Sequence, residues 1–171
     1  MRIVLFLLFL MYSFNALSQS KTQIGHLKYD NVKIYDFDCG IEGNQMIVDN
    51  TGHLSKAVKK QAYLNKKTIE ELNHRLIKKS SYGSAVASCF QPHLGIVYFL
   101  KHNIVAFIDI CLECNRLESS FEIPAQLQGK QGKGKEIYYT GEGMSKPFRL
   151  FLNETIKKYN FSHQIKPGDE F

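Results

Sequence analysis

The chain has 171 residues, a formal charge of +6 and four cysteines, and 44% of it is hydrophobic. That is one domain's worth of sequence with enough apolar material to bury a core. The basic balance invites a nucleic-acid reading, but the lysines fall into two runs, Lys56, Lys59, Lys60, Lys66 and Lys67, then Lys130, Lys133 and Lys135, with no interleaved stacking array of aromatics. They read as solvated faces with at most a weak attraction to anionic envelope surfaces, and no nucleic-acid partner is expected.

Arg2 precedes an apolar run from Ile3 to Tyr12, and Ala16-Leu17-Ser18 puts small residues at the −3 and −1 positions before Gln19. This is the layout of a secretory signal peptide, so residues 1–18 are expected to be a leader and 19–171 a single α+β domain. A membrane anchor is the alternative, but a spanning helix needs ~20 apolar residues and this run is shorter. No cysteine stands where a lipid anchor would attach, and no later stretch is apolar enough to span a bilayer. The expected location is therefore the periplasm or the medium, with the mature chain soluble. Loss of Arg2 lowers the charge from +6 to +5.

From Gln23 to Phe37, β-branched and aromatic residues alternate with polar ones, predicting one or two strands. Asp36 and Asp38 alternate with Phe37 and would share one strand face, where they could hold a cation, although turn chemistry accounts for them as well. Gln45 to Val48 suggests a short strand, and Asp49-Asn50-Thr51-Gly52 a turn. Asn65 is placed to cap a helix ending near Lys79, with Leu64 and Ile69 forming a hydrophobic staple. Ile69, Leu72 and Leu76 make its apolar stripe, leaving His74 on the wet side.

Gly95–Leu100 and Ile104–Cys111 are nearly continuous apolar runs separated by Lys101-His102-Asn103, which predicts a central β-hairpin with a three-residue loop. Pairing Leu100 with Ile104 makes opposed residue numbers add to 204. His93 then faces Cys111, and Cys89 comes almost opposite Cys114.

This register turns four residues into a candidate site, and three chemistries compete for it. An exported chain with an even number of cysteines favours disulfides. Cys89 would pair with Cys114 or Cys111, and Cys39 would take a remaining partner. A zinc ion held by Cys89, His93, Cys111 and Cys114 would form a closed tetrahedral structural site, with Cys39 left over as a free thiol. Alternatively, Cys111 and Cys114 in their C-x-x-C spacing could exchange disulfides, although no βαβ unit frames them as it does in thioredoxin-like proteins.

Tyr82-Gly83, Cys89-Phe90-Gln91-Pro92-His93, Gly95-Ile96-Val97-Tyr98 and Ile108-Asp109-Ile110-Cys111-Leu112-Glu113-Cys114-Asn115 together resemble a segment of exported hypothetical proteins of Bacteroidetes-type bacteria. The likeness reaches back to the Asn65 helix and covers about a third of the chain. It implies a shared core of Cys89, Pro92 and the C-x-x-C pair and carries no activity with it. The turn Lys101-His102-Asn103 departs from the glycine-containing turn of that group.

Beyond the hairpin, Phe121-Glu122-Ile123-Pro124 predicts an edge strand. Gly129 to Glu136 nearly matches a phosphate loop, but Glu136 stands where the magnesium-binding hydroxyl belongs, and Ile137-Tyr138-Tyr139-Thr140 reads as a strand rather than the required helix. A flexible basic loop is expected instead. Pro147 opens a helix whose apolar face is Phe148, Phe151, Leu152, Thr155, Ile156 and Tyr159. The tail from about 162 to 171 is expected to be loosely ordered.

No motif of a serine hydrolase, zinc protease or glycosidase is present. Cys89 and His93 as nucleophile and base would lack a third, orienting group. The sequence therefore predicts an antiparallel sheet with two packed helices, in a non-enzymatic exported protein whose cysteines stabilise the fold. The alternative is a metal or thiol-redox protein working through Cys89, His93, Cys111 and Cys114.

Overall fold

The computed structural model describes residues 24, 26–40, 45–134 and 136–165. The expected leader and the last six residues lie outside that set. The central hairpin forms from β4 (Leu94–Leu100) and β5 (Asn103–Cys111). Around it a seven-stranded antiparallel sheet runs in the order β2-β1-β4-β5-β6-β8-β7. Its other strands are β1 (Asn31–Phe37), β2 (Val58–Tyr63), β6 (Arg116–Ser119), β7 (Gly129–Gln131) and β8 (Tyr138–Thr140). A small two-stranded sheet pairs β3 (Tyr82–Ser84) with β9 (Gly143–Met144). With helices α1 (Lys66–Ile77) and α2 (Lys146–Lys158), the fold is α+β.

The hairpin corrects the expected loop while keeping the expected register. Leu100 pairs with Asn103, so the loop is the two residues Lys101 and His102. Both have positive φ, 49° and 70°, the backbone twist that suits a tight hairpin of right-twisted strands. A bulge then leaves Val105 between the pairs Phe99–Ile104 and Tyr98–Ala106. From Tyr98–Ala106 to Leu94–Ile110 the numbers add to 204, as expected. The bulge thus restores the register that the shorter loop had shifted.

Both sheet faces are buried, which is why these strands are apolar on both sides. Ile34, Ile96, Tyr98, Ile108 and Leu117 pack in one cluster with Leu72 and Leu76 of α1 and Phe148, Leu152 and Ile156 of α2. On the other face, Tyr35, Phe37, Cys39, Val97 and Phe99 lie under Ile47, Val48 and Leu54. Gly95 makes room for this cover, since a Cβ there would lie 2.5 Å from Ile47 Cγ1.

The Asn65 side chain accepts from the Thr68 N–H at 2.9 Å, closing the first turn of α1 as its position implied. His74 is exposed. Asn73, by contrast, is buried, donating to Tyr29 Oη at 2.6 Å and accepting from Tyr98 Oη at 3.1 Å. In α2, buried Arg149 donates through Nη2 to the Leu112 carbonyl at 2.9 Å and so ties the helix to the C-x-x-C turn.

Several segments depart from expectation. Phe121–Pro124 is not a strand: β6 takes that place at Arg116–Ser119, and Pro124–Gln126 forms a turn of 3-10 helix. Lys59 and Lys60 belong to β2, an edge strand whose charged side chains discourage pairing with another chain. Part of the glycine-rich loop forms β7, paired with β8. Within the expected loose tail, Ser162 and His163 bond Asp36, and Ile165 is buried with its N–H on Asn153.

Candidate functional site

Two clusters of reactive side chains lie at the end of the sheet opposite the hairpin loop. The first grows from the β5–β6 connection. Cys111 ends β5 and pairs with Arg116, which opens β6, so Leu112–Asn115 is a four-residue turn. Asn115 adopts a positive φ of 52°, and its Nδ2 donates to the Ala85 carbonyl at 2.8 Å. The Ala87 N–H donates to the Cys114 carbonyl at 2.9 Å. These two bonds lay the segment before β4 across the turn, and the Arg116 guanidinium over the Phe90 ring, 5.1 Å from its centre, holds it further along.

This path delivers Cys89. Cys111 and Cys114 are joined as a disulfide, with a Cα–Cα separation of 5.3 Å. Both are buried, whereas Cys89 is exposed and its Sγ lies 2.8 Å from Cys114 Sγ. The Cys114 N–H points at Cys111 Sγ from 3.2 Å, and Glu113 Oε2 lies 3.9 Å from the same sulfur. Three of the four residues grouped by the sequence are therefore neighbours.

His93 stands elsewhere. The paired register ends one residue short of it, at Leu94–Ile110, and the His93 N–H donates to the Ile110 carbonyl at 3.3 Å instead of pairing with Cys111. Its ring, however, lies on the β1 side, with Nδ1 3.2 Å from the Phe37 carbonyl and Nε2 3.9 Å from Cys39 Sγ. Here the structure sets a different partner beside His93 from the one the sequence suggested. Cys39 is buried and unbridged, so the N-terminal strands are joined to the hairpin by hydrogen bonds rather than by a second disulfide.

Asp38, Cys39 and His93 form the second cluster, with one donor atom from each lying within 4.8 Å of the others. Burial, helped by the Asp38 charge, pushes the Cys39 thiol up from its ordinary pKa. Asp38 is held below the usual carboxylate range by Lys59, at 3.1 Å, and by the Gly40 N–H. His163 stacks on His93 with ring centres 3.9 Å apart and planes within 4°. Its Nδ1 is 2.8 Å from Asp36 Oδ1, while Ser162 donates to Asp36 Oδ2 through both N–H and hydroxyl. Burial acts to raise the pKa of Asp36, but these bonds outweigh it and hold the carboxyl low. Asp36 and Asp38 thus have separate partners and do not form the shared cation pair that their alternation allowed.

Sequence reasoning missed His163 and the closeness of Cys39 to His93. The single pointer was Asp36, since a carboxylate buried in a strand seeks donors wherever the chain can supply them. No helix among the described residues is long and apolar enough to cross a membrane. No family model, curated protein or solved structure matches this chain.

Proposed function

We propose that the chain is an exported protein without catalytic activity, in which the cysteines at the end of the central hairpin stabilise the fold. The observation that carries this reading is Cys114, joined to Cys111 and 2.8 Å from the sulfur of Cys89. A bridge to either neighbour holds the β5–β6 turn. The Cys111–Cys114 pair spans a separation of three residues, which the chain-entropy relation values at about 1.6 kcal/mol. A Cys89–Cys114 pair spans 25 residues, worth about 3.5 kcal/mol, and would also tie down the segment before β4. Replacing Cys114 with Ser removes both possibilities. Urea unfolding should show the variant destabilised by about 2–4 kcal/mol, with a native far-UV spectrum. Unchanged stability would contradict the structural role.

A second reading is favoured by the exposure of Cys89 in front of a buried disulfide. The Cys89 thiolate can attack Cys114 Sγ, forming a Cys89–Cys114 bond while the Cys111–Cys114 bond breaks and Cys111 leaves as thiolate. The exchange conserves electrons and needs no external oxidant. Glu113 beside Cys111 disfavours the departing thiolate, which biases the exchange back toward the starting pair. Rapid alkylation at mildly alkaline pH should then label both Cys89 and Cys111 across the population. A Cys111 label absent even as a minor species would exclude the exchange.

A further inference from the structure

We propose that Asp38, Cys39 and His93 form a zinc-binding site, separate from the three-sulfur cluster, in which two adjacent strand ends contribute a carboxylate, a thiolate and an imidazole. The placement follows from the sheet. β1 and β4 pair antiparallel as far as Asp36–Leu94, and the Phe37 N–H then donates to the His93 carbonyl at 3.2 Å. This extension of the ladder fixes the residue just before β4 beside the two that follow β1, so the three donors converge without any side chain reaching far.

The orientation of His93 is that of a ligand. With Nδ1–H donated to the Phe37 carbonyl at 3.2 Å, Nε2 carries the lone pair and faces Cys39 Sγ. A backbone carbonyl holding the far nitrogen is the usual means by which a protein sets the tautomer of a metal-binding histidine. The stacked His163 ring, itself held by Asp36, keeps the imidazole from swinging away.

The distances fit as well. Bonds of ~2.0–2.3 Å to nitrogen and sulfur imply ligand-to-ligand edges of roughly 3.5 Å around a tetrahedral zinc. Cys39 Sγ and His93 Nε2 are 3.9 Å apart, and all three donors fall within 4.8 Å of one another. Sulfur and imidazole donors select zinc over the hard cations magnesium and calcium. Asp38 is otherwise held by Lys59, in an exposed ion pair of the kind that contributes little, and by the Gly40 N–H on its other oxygen. Three protein donors leave a coordination position for water or a small ligand, the arrangement of an open zinc site.

The test uses Cys89→Ser protein whose mass shows one disulfide, so that Cys39 is its single free thiol. Titration with Co2+ under anaerobic conditions should give a thiolate-to-cobalt charge-transfer band that saturates at one ion per chain and is displaced by Zn2+. Adding Cys39→Ser should remove the band. His93→Gln and Asp38→Asn, which change less buried residues, should each weaken Zn2+ binding by about tenfold or more. Absence of the band from folded Cys89→Ser protein would overturn the proposal, as would binding that is unchanged in both His93→Gln and Asp38→Asn.

Discussion

Asp109 should make the stability of this protein fall as pH rises, and replacing it with Asn should abolish that dependence. Asp109 lies fully buried near the end of β5, between Gly95 on β4 and Glu118 on β6. Its Oδ1 accepts the Ile47 N–H at 2.7 Å, and its Oδ2 has no partner among the described residues. Burial drives its pKa up to about 8; the Ile47 N–H lowers it and the neighbouring Glu118 charge raises it. The folded protein therefore holds a proton that the unfolded chain releases above its ordinary value of 3.8. Because the native state binds more protons over that interval, the stabilisation is complete below about 3.8 and is lost progressively up to about 8. The whole span corresponds to about 6 kcal/mol. The amide of the Asp109→Asn variant would keep the acceptor for Ile47 and would not ionise. Urea unfolding of both proteins at steps from about pH 4.5 to about 8.5 isolates Asp109 together with its coupling to Glu118, because titrating groups that do not interact with Asp109 cancel in the difference. The wild type should lose several kcal/mol relative to Asp109→Asn. Parallel stability curves would refute the reasoning and imply that the carboxylate is solvated or paired when ionised.

Gly95→Ala should destabilise by about 1–3 kcal/mol in the same assay, because the new methyl group collides with Ile47 over the second sheet face. Asn65→Ala should cost about 1 kcal/mol through loss of the cap on Thr68. Asn73→Leu should cost more than the cap, since it strips Tyr98 Oη of its buried acceptor. Thermal unfolding of the three variants provides the ranking.

Local signals carried most of the fold. The apolar runs of β4 and β5, the Asn65 cap and the Pro147 helix start are each written within a dozen residues, and all form. β2 escapes a sequence reading because Val58-Lys59-Lys60-Gln61-Ala62-Tyr63 is an edge strand, mostly exposed, with little hydrophobic alternation to reveal it. β6 escapes for the opposite reason: Glu118 and Ser119 are polar yet buried, so Arg116–Ser119 reads as a loop. The register brings Cys89 near Cys114 because both flank one hairpin. It says nothing about which way the His93 ring turns. That is decided by Phe37, Cys39 and His163, partners distant in sequence whose arrival depends on β1 and the segment after α2 packing together.

The most direct test of the account is a non-reducing peptide mass map of protein from the periplasm or medium, alkylated on harvest. Cys114 should be bridged to Cys111 or Cys89, and Cys39 should carry the alkyl group once the protein is denatured. A bridge that includes Cys39, or alkylation of all four cysteines, would contradict it.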